Sequence, residues 1–285
     1  MAVESGKLYL CATPIGNLGD MTFRAVETLR TVSLIAAEDT RHSRKLTSHY
    51  DIHVPLISYH EHNKRTKGPE LLEKLKSGQS VALVSDAGMP GISDPGEDLV
   101  RLAIEAGIKV IPIPGANAAL TALIASGLST EGFVFIGFLP KLSTARRARL
   151  KILQNNPLTL LFYEAPHQLL KTLADIQAVL GDRPAVAGRE LTKLYEEFQR
   201  GPISQLIEWF QINKPRGEFT LVVGGCKEQA AVAEDLPAAI TDQQIVQEVT
   251  RAIAAGANKK DAVKTTASKL GLQKRRVYQL MLETD

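Results

Sequence analysis

The apolar run Ser80-Val81-Ala82-Leu83-Val84 and the loop after it, Ser85-Asp86-Ala87-Gly88-Met89-Pro90-Gly91-Ile92-Ser93-Asp94-Pro95-Gly96, constrain this chain more than any other stretch. A short apolar run bounded by turn formers is the pattern of a strand buried on both faces, as in a parallel sheet. The loop holds three glycines and two prolines, and a helix is expected to begin at Asp94 with Pro95 in its first turn. In an open α/β sheet, ligands bind at the carboxyl ends of the strands. Glycines there let the backbone approach a small molecule closely, so the loop reads as a ligand site with Asp86 as its first carboxylate. Asp94 alone reads more simply, as the N-cap of the following helix.

The same punctuation recurs along the chain. Lys7 to Ala12 is a strand that breaks at Thr13-Pro14-Ile15-Gly16-Asn17-Leu18-Gly19-Asp20, before a helix from Thr22 to Thr31. Val32 to Ala37 is a strand ending in Glu38-Asp39-Thr40-Arg41-His42-Ser43-Arg44-Lys45. Two carboxylates among so many cations make either a solvated turn or a place for proton transfer and polyanion docking. His60-Glu61-His62 lacks a third placed ligand and reads as a polar segment rather than a metal site. Helical spacing covers Glu70 to Lys76 and Pro95 to Ala106; Lys109 to Ile113 is a strand, and Pro114-Gly115-Ala116-Asn117 opens a helix from Ala118 to Ser126. Strand and helix alternate throughout, which predicts a doubly wound parallel sheet.

Beyond Pro114 the pattern changes. Phe133 to Pro140, Thr159 to Tyr163, Ala185 to Gly188 and Phe219 to Gly224 read as strands, with a helix ending near Gly181. Between the first two strands, Lys141 to Lys151 carries five basic residues and no acid, among them Arg146, Arg147 and Arg149. The expected organisation is an α/β domain over 1–113, a second over 114–228, a linker within Gln229 to Ala239, and a helical tail over 240–285. In the tail, Lys259 to Arg276 holds seven cations, including Lys274, Arg275 and Arg276, against the single Asp261. Leu270-Gly271-Leu272 separates two short helices there, the outline of a helix-turn-helix module.

Composition excludes several classes. No apolar stretch approaches the roughly 20 residues of a membrane helix, and Met1 to Gly6 has no export signal, so a cytoplasmic protein without membrane contact is expected. Two distant cysteines, Cys11 and Cys226, are too few for a disulfide framework or a zinc site and are read as packing residues. There is no Gly-x-Gly-x-x-Gly after the first strand and no Gly-Lys-Ser/Thr loop, so neither a dinucleotide nor a triphosphate is favoured. The formal net charge of +3 does not by itself imply a polyanion partner; its local clustering does.

Six motifs taken in order resemble the tetrapyrrole methylase superfamily: residues 14–20, Glu38-Asp39-Thr40-Arg41, residues 85–96, Pro114-Gly115-Ala116-Asn117, Gly137-Phe138-Leu139-Pro140, and Phe162-Tyr163-Glu164-Ala165-Pro166-His167. Within it they are most similar to the branch that methylates a cytidine 2′-hydroxyl in 16S ribosomal RNA, which also carries an extra basic C-terminal domain. The resemblance spans Lys7 to Gly225. It implies a two-domain class III methyltransferase, usually homodimeric, with S-adenosylmethionine folded into the cleft between domains and ribosomal RNA or the small ribosomal subunit as partner. By similarity, Pro14, the loop containing Asp86, Ala87, Gly88 and Ile92, the turn Pro114, Gly115 and Ala116, the segment Gly137, Phe138 and Leu139, and Ala165 line the cofactor pocket.

Methyl transfer from a sulfonium needs alignment more than activation, but a ribose hydroxyl is a poor nucleophile. A carboxylate to accept its proton, or a lysine to stabilise the oxyanion, would help; Asp39, Glu38, Glu164 and Lys193 are the candidates, and spacing does not rank them. Arg41 and Arg44 suit a flanking phosphate, and RNA is expected along Arg146 to Lys151 and the basic tail. Two rivals stand beside this reading: a methylase of a tetrapyrrole or other small metabolite, against which the basic tail counts, and a non-catalytic helix-turn-helix protein using the α/β body as a sensor.

Overall fold

The computed structural model describes residues 6–226, 242–270 and 274–282, in two compact units divided after Cys226. The expected linker lies outside the described residues, as does Gly271 with its two following neighbours.

The first unit contains two five-stranded sheets. In the first, β1 (Lys7–Cys11), β2 (Leu34–Ala37), β3 (Leu56–Ser58), β4 (Val81–Val84) and β5 (Lys109–Ile113) lie in the order β3-β2-β4-β1-β5, every pair parallel. Side chains alternate across a strand, so a sheet covered on both faces needs apolar residues at every position. Val81 and Leu83 enter a core with Leu71, Leu75 and Leu99, whereas Ala82 and Val84 enter another with Leu29 and Ile35. The first core is closed by α3 (Lys64–Lys76) and α4 (Glu97–Glu105), the second by α1 (Phe23–Thr31), which Thr22 caps through the Ala25 N–H. Each fully buried leucine, such as Leu83, contributes about 1.5–3 kcal/mol. Cys11 is fully buried, and burial pushes its thiol up to about 12, as suits a packing residue.

The second sheet has β6 (Phe133–Phe138), β7 (Thr159–Glu164), β8 (Pro184–Arg189), β9 (Glu197–Pro202) and β10 (Phe219–Val223) in the order β6-β7-β10-β8-β9. Only β6 and β7 run parallel; β10 is antiparallel to both neighbours, so this sheet is mixed. Helix α5 (Ala118–Ser126), capped by Asn117, covers one face through Ala119, Ala122 and Leu123 against Leu161, Val186 and Val222. The other face packs on α6 (Ser143–Ile152), α7 (Leu169–Leu180) and α8 (Ile203–Ile212).

Sequence reading misses several elements, among them α6, which it reads only as a basic run, and three more. The segment after Asp39 is a helix, α2 (Thr40–His49), whose buried face is only Ser43, Leu46 and Thr47 and gives no apolar period. Strand β9 and helix α8 fill the stretch between the expected strands, and α8 does carry a signal in Ile203, Leu206 and Phe210, buried at helical spacing.

The described residues of the second unit form three helices, α9 (Asp242–Ala254), α10 (Lys259–Lys269) and α11 (Lys274–Leu282), packed through Ile245, Val249, Val263, Ala267, Val277 and Met281. Asn258 caps α10 by accepting from the Asp261 N–H. Lys274, Arg275 and Arg276 are exposed on α11, and Arg276 reaches Asp242 at 3.2 Å. No helix among the described residues is long and apolar enough to cross a membrane.

Candidate active site

Because the strands of the first sheet are all parallel, the loops after β1, β2, β4 and β5 meet at one edge. They are tied to each other. Thr13 and Gly88 exchange backbone hydrogen bonds of 2.9 and 3.0 Å, joining the loop after β1 to the loop after β4. The Asp39 N–H donates to Asp86 Oδ1 at 3.1 Å, and the Asp86 N–H points back to Glu38 Oε2 at 3.4 Å. In the second sheet the ends of β7 and β8 and the start of β10 share an edge, since Phe219 registers with both Glu164 and Arg189.

Between these two edges lies a cavity of about 580 Å³, within the range of small-molecule sites. Its apolar wall includes Ile15, Met89, Ile92, Phe138 and Leu191; its polar wall includes Glu38, Asp86, Asp94, Glu164, His167 and Lys193. A smaller cavity of about 250 Å³, lined by Pro14, His42, Ser43 and Lys45 among others, shares Asp86 with it.

The expectation that Asp94 caps α4 is corrected. The helix begins at Glu97 with Gly96 in the cap position, and no side chain caps it. Gly91 (φ +82°), Ser93 (φ +64°) and Gly96 (φ +153°) bend the loop through conformations closed to most L-residues, and the bend carries Asp94 to the cavity wall. Burial there, then the nearby charge of Glu38, pushes the Asp94 carboxyl up to about 6. Glu38 is raised as well, burial again being the main cause, partly offset by the Asp86 N–H.

The other sequence candidates separate clearly. Asp39 caps α2 through the Arg41 N–H at 2.8 Å and holds the Arg41 guanidinium at 2.7 and 3.1 Å, which keeps its carboxyl well below the usual range. Glu164 accepts from the Ala165 N–H at 2.8 Å and the Thr172 hydroxyl at 2.5 Å. Lys193 pairs with Glu190 at 3.0 Å and Glu218 at 2.8 Å; burial lowers its pKa, but the two carboxylates outweigh burial and leave it raised. Asp86, Ala87, Gly88, Ile92, Phe138 and Ala165 line the larger cavity, Pro14 the smaller one. Ala116 presents its carbonyl beside Gly88, and Gly115 packs so closely on Ala12 that a Cβ would fall 2.8 Å from the alanine methyl. Gly137 backs Ser93, whereas Leu139 is buried in the core of the second sheet rather than at the cavity. Met89 lies within the loop that the sequence assigns to the pocket, and Ile15 and Tyr163, though not singled out, lie inside quoted motifs; Leu191 and Glu218 were not found and carried no signal.

Residues 7–207 match the family model described as Tetrapyrrole (Corrin/Porphyrin) Methylases, well over half of the chain. The chain belongs to the tetrapyrrole methylase family. A relative from Synechocystis sp., named ribosomal RNA small subunit methyltransferase I, is 51% identical over 281 residues, covering 98% of this chain and 99% of its own length. A protein of the same name from Bacillus subtilis is 49% identical over 276 residues, covering 96% and 94%. Among solved structures, the methyltransferase CobJ superimposes with a TM-score of 0.60 at 18% identity, over 78% of this chain and 95% of its own. The uroporphyrin-III C-methyltransferase of Thermus thermophilus, solved with S-adenosylhomocysteine, gives 0.54 at 18%, over 77% and 97%. At such identities these two show the shared fold.

The cations expected to meet RNA divide in this methylase. Arg41, Arg44 and Arg149 are exposed, but Arg146 is buried with only 3% of its side chain exposed, and its guanidinium lies 2.6 Å from Asp175 and within hydrogen-bonding distance of the Pro140 and Lys141 carbonyls. That corrects the placement of Arg146 on an RNA-facing surface: its donors are consumed inside the protein. Arg147 is half exposed and also pairs with Asp175 at 2.6 Å. Among the described residues no group of three His, Cys, Asp or Glu side chains could hold a metal, His60 and His62 included.

Proposed function

We propose that this methylase transfers a methyl group from S-adenosylmethionine to the 2′-hydroxyl of a cytidine ribose in 16S ribosomal RNA. The observation that carries the reading is the near full-length similarity to relatives named ribosomal RNA small subunit methyltransferase I. The cavity fits the donor. It offers an apolar wall for the adenosine, a row of carboxylates for its cationic groups, and a backbone approach at Gly88 (φ +79°), where a side chain would be strained.

The donor brings an activated methyl group on sulfur; the protein orients and desolvates. Ile15, Ile92 and Phe138 would hold its apolar part, and Asp86, fixed by the Asp39 N–H, its cationic part. Lys193, held by two glutamates, offsets part of the negative charge on the cavity wall. Arg41, Arg44 and Arg149 would grip phosphates around the target, and the basic tail would add sequence-independent attraction. The reading includes two α/β lobes over 1–113 and 114–228, a homodimer, and a cytoplasmic site of action on naked ribosomal RNA or the small subunit.

The test is methyl transfer from labelled donor to 16S ribosomal RNA from cells lacking this protein, followed by mapping of the modified nucleotide. A target carrying a 2′-deoxy sugar is expected to be inert. Label on the deoxy target would return a ring-nitrogen acceptor to first place, and label on a tetrapyrrole but not on RNA would replace the substrate class.

A further inference from the structure

We propose that Asp94 is the catalytic base that takes the proton from the acceptor hydroxyl. This rests on the reading that the acceptor is a hydroxyl. Five carboxylates line the cavity, and four are engaged: Glu38, Asp86 and Glu164 hold loops or helices together, and Glu218 holds Lys193 at 2.8 Å. Glu164 is tied to the start of its own following segment and to Thr172. Asp86 and Glu38 cross-link the ends of β4 and β2 through backbone N–H groups. Asp94 has no such structural duty: it does not cap α4, and its hydrogen-bonding neighbour is the Ser85 hydroxyl.

Its position is nonetheless built. Ser93, immediately before it, sits in the left-handed region, which for a non-glycine residue is held only where the surroundings over-determine it. Those surroundings include Gly137 on β6: a Cβ there would come 2.8 Å from Ser93 Oγ, so the tip of the loop reaches the second sheet only because position 137 has no side chain. Glycines 91 and 96 supply the remaining left-handed turns. Strain and clearance are thus spent on presenting Ser93 and Asp94, between the two sheet edges.

The chemistry follows from the surroundings. Facing this cavity are Glu38 and Asp86 from the first sheet, Tyr163, Glu164 and His167 from the β7 edge, and Lys193 with Glu218 across it. Burial and Glu38 lift the Asp94 carboxyl to about 6, so it is ionised at neutral pH yet basic enough to accept a proton in the transition state. As the ribose oxygen forms its bond to the methyl carbon, the carbon–sulfur bond breaks with its electron pair left on sulfur. The hydroxyl proton passes to a carboxylate oxygen of Asp94 and is lost to water after product release.

The experiment uses the full chain carrying Asp94→Asn, Asp94→Glu or Glu38→Gln. Asp94→Asn is expected to lower the single-turnover methylation rate by about 100-fold or more, with S-adenosylhomocysteine affinity by calorimetry within about threefold of the parent. The parent rate should climb about tenfold per pH unit below pH 6 and level off above; Asp94→Asn should lose that limb, and Asp94→Glu should keep it. Glu38→Gln should move the limb to lower pH, since removing a neighbouring negative charge makes Asp94 more acidic. In the ligand-free protein, carbon NMR of the carboxyl groups should show one aspartate titrating near pH 6 that vanishes in Asp94→Asn. An Asp94→Asn variant that keeps both rate and limb overturns the assignment, as does a limb that disappears only in Glu38→Gln. Either result leaves the hydroxyl reading intact, whereas methylation of a 2′-deoxy target removes that reading and this role with it.

Discussion

Replacing Arg146 with alanine decides whether this arginine belongs to the interior or to an RNA-facing surface. Arg146 and Asp175 expose 3% and 5% of their side chains, and the guanidinium donates through Nε at 2.8 Å while Nη2 lies 2.6 Å from the same carboxylate oxygen. Removing one partner of a buried pair leaves the other charge uncompensated, which costs about 3–5 kcal/mol. Here Ser143 and Arg147 still donate to Asp175, at 2.9 to 3.1 Å and 2.6 Å, so the lower end, about 3 kcal/mol, is expected. For a unit of this size each kcal/mol shifts Tm by about 2–4 °C, giving a drop of about 6–12 °C. The pair also has a pH signature. Burial pushes Asp175 up, but its arginine and serine donors outweigh burial and hold it below its ordinary value. Its stabilisation is therefore present above the ordinary carboxylate pKa and is lost as pH falls through the depressed folded value, so the Tm gap between parent and Arg146→Ala should narrow in acid. Calorimetric melting across pH, with RNA binding measured below the variant's Tm, is the assay. An unchanged Tm with RNA affinity reduced tenfold would refute the burial argument and put Arg146 back among the RNA contacts.

Three further outcomes are expected. Gly88→Val has space, since a Cβ would meet Ile15 Cγ2 at 3.5 Å, but φ of +79° is strained for any L-residue by about 1–2 kcal/mol; S-adenosylhomocysteine affinity by calorimetry should fall at least about tenfold in a chain that still folds. Deleting Thr241 to Asp285 should weaken RNA binding and flatten its dependence on salt in filter-binding titrations while leaving S-adenosylhomocysteine affinity unchanged. Asn117→Ala removes the side chain that caps α5 through the Leu120 N–H at 3.0 Å and should cost about 1 kcal/mol in thermal melting.

Four strands of the first sheet were legible because each announces itself twice, by an apolar run and by the turn formers that end it, whereas β3, only three residues long, was not read as a strand. Lys109 to Ile113 begins and ends where the sequence places it, and Val81 to Val84 begins one residue after the expected Ser80. The second sheet was harder to read, since β9 is half-buried and polar and joins its neighbours in antiparallel fashion. At the site, the glycine loops were readable as loops but the directions of side chains were not. Asp94-Pro95 carries the usual signature of a helix start, yet two left-handed glycines add a turn and hand that start to Glu97 and Asp98, whose acids suit the helix N-terminus. Arg146 looked like its neighbours in a basic run because its partner, Asp175, stands on another helix, 29 residues away. Asp39 looked like a base because adjacency to Arg41 does not say whether the pair is open or closed; in the fold it is closed.

The antiparallel insertion of β10 between β7 and β8 bears on how the protein is made. The first sheet is complete once residue 113 has left the ribosome, and domains generally fold as the chain emerges, N-terminal parts first. The second sheet has a gap at its centre until Phe219 to Val223 arrives, some hundred residues later, because β7 and β8 have no direct pairing and meet only through that strand. Glu218, Phe219 and Thr220 are also part of the cavity wall, so the cavity closes with the last strand to be synthesised. A nascent or prematurely ended chain therefore has a finished first sheet and an open cavity, and truncations before residue 223 should be insoluble through their open strand edges rather than partially active.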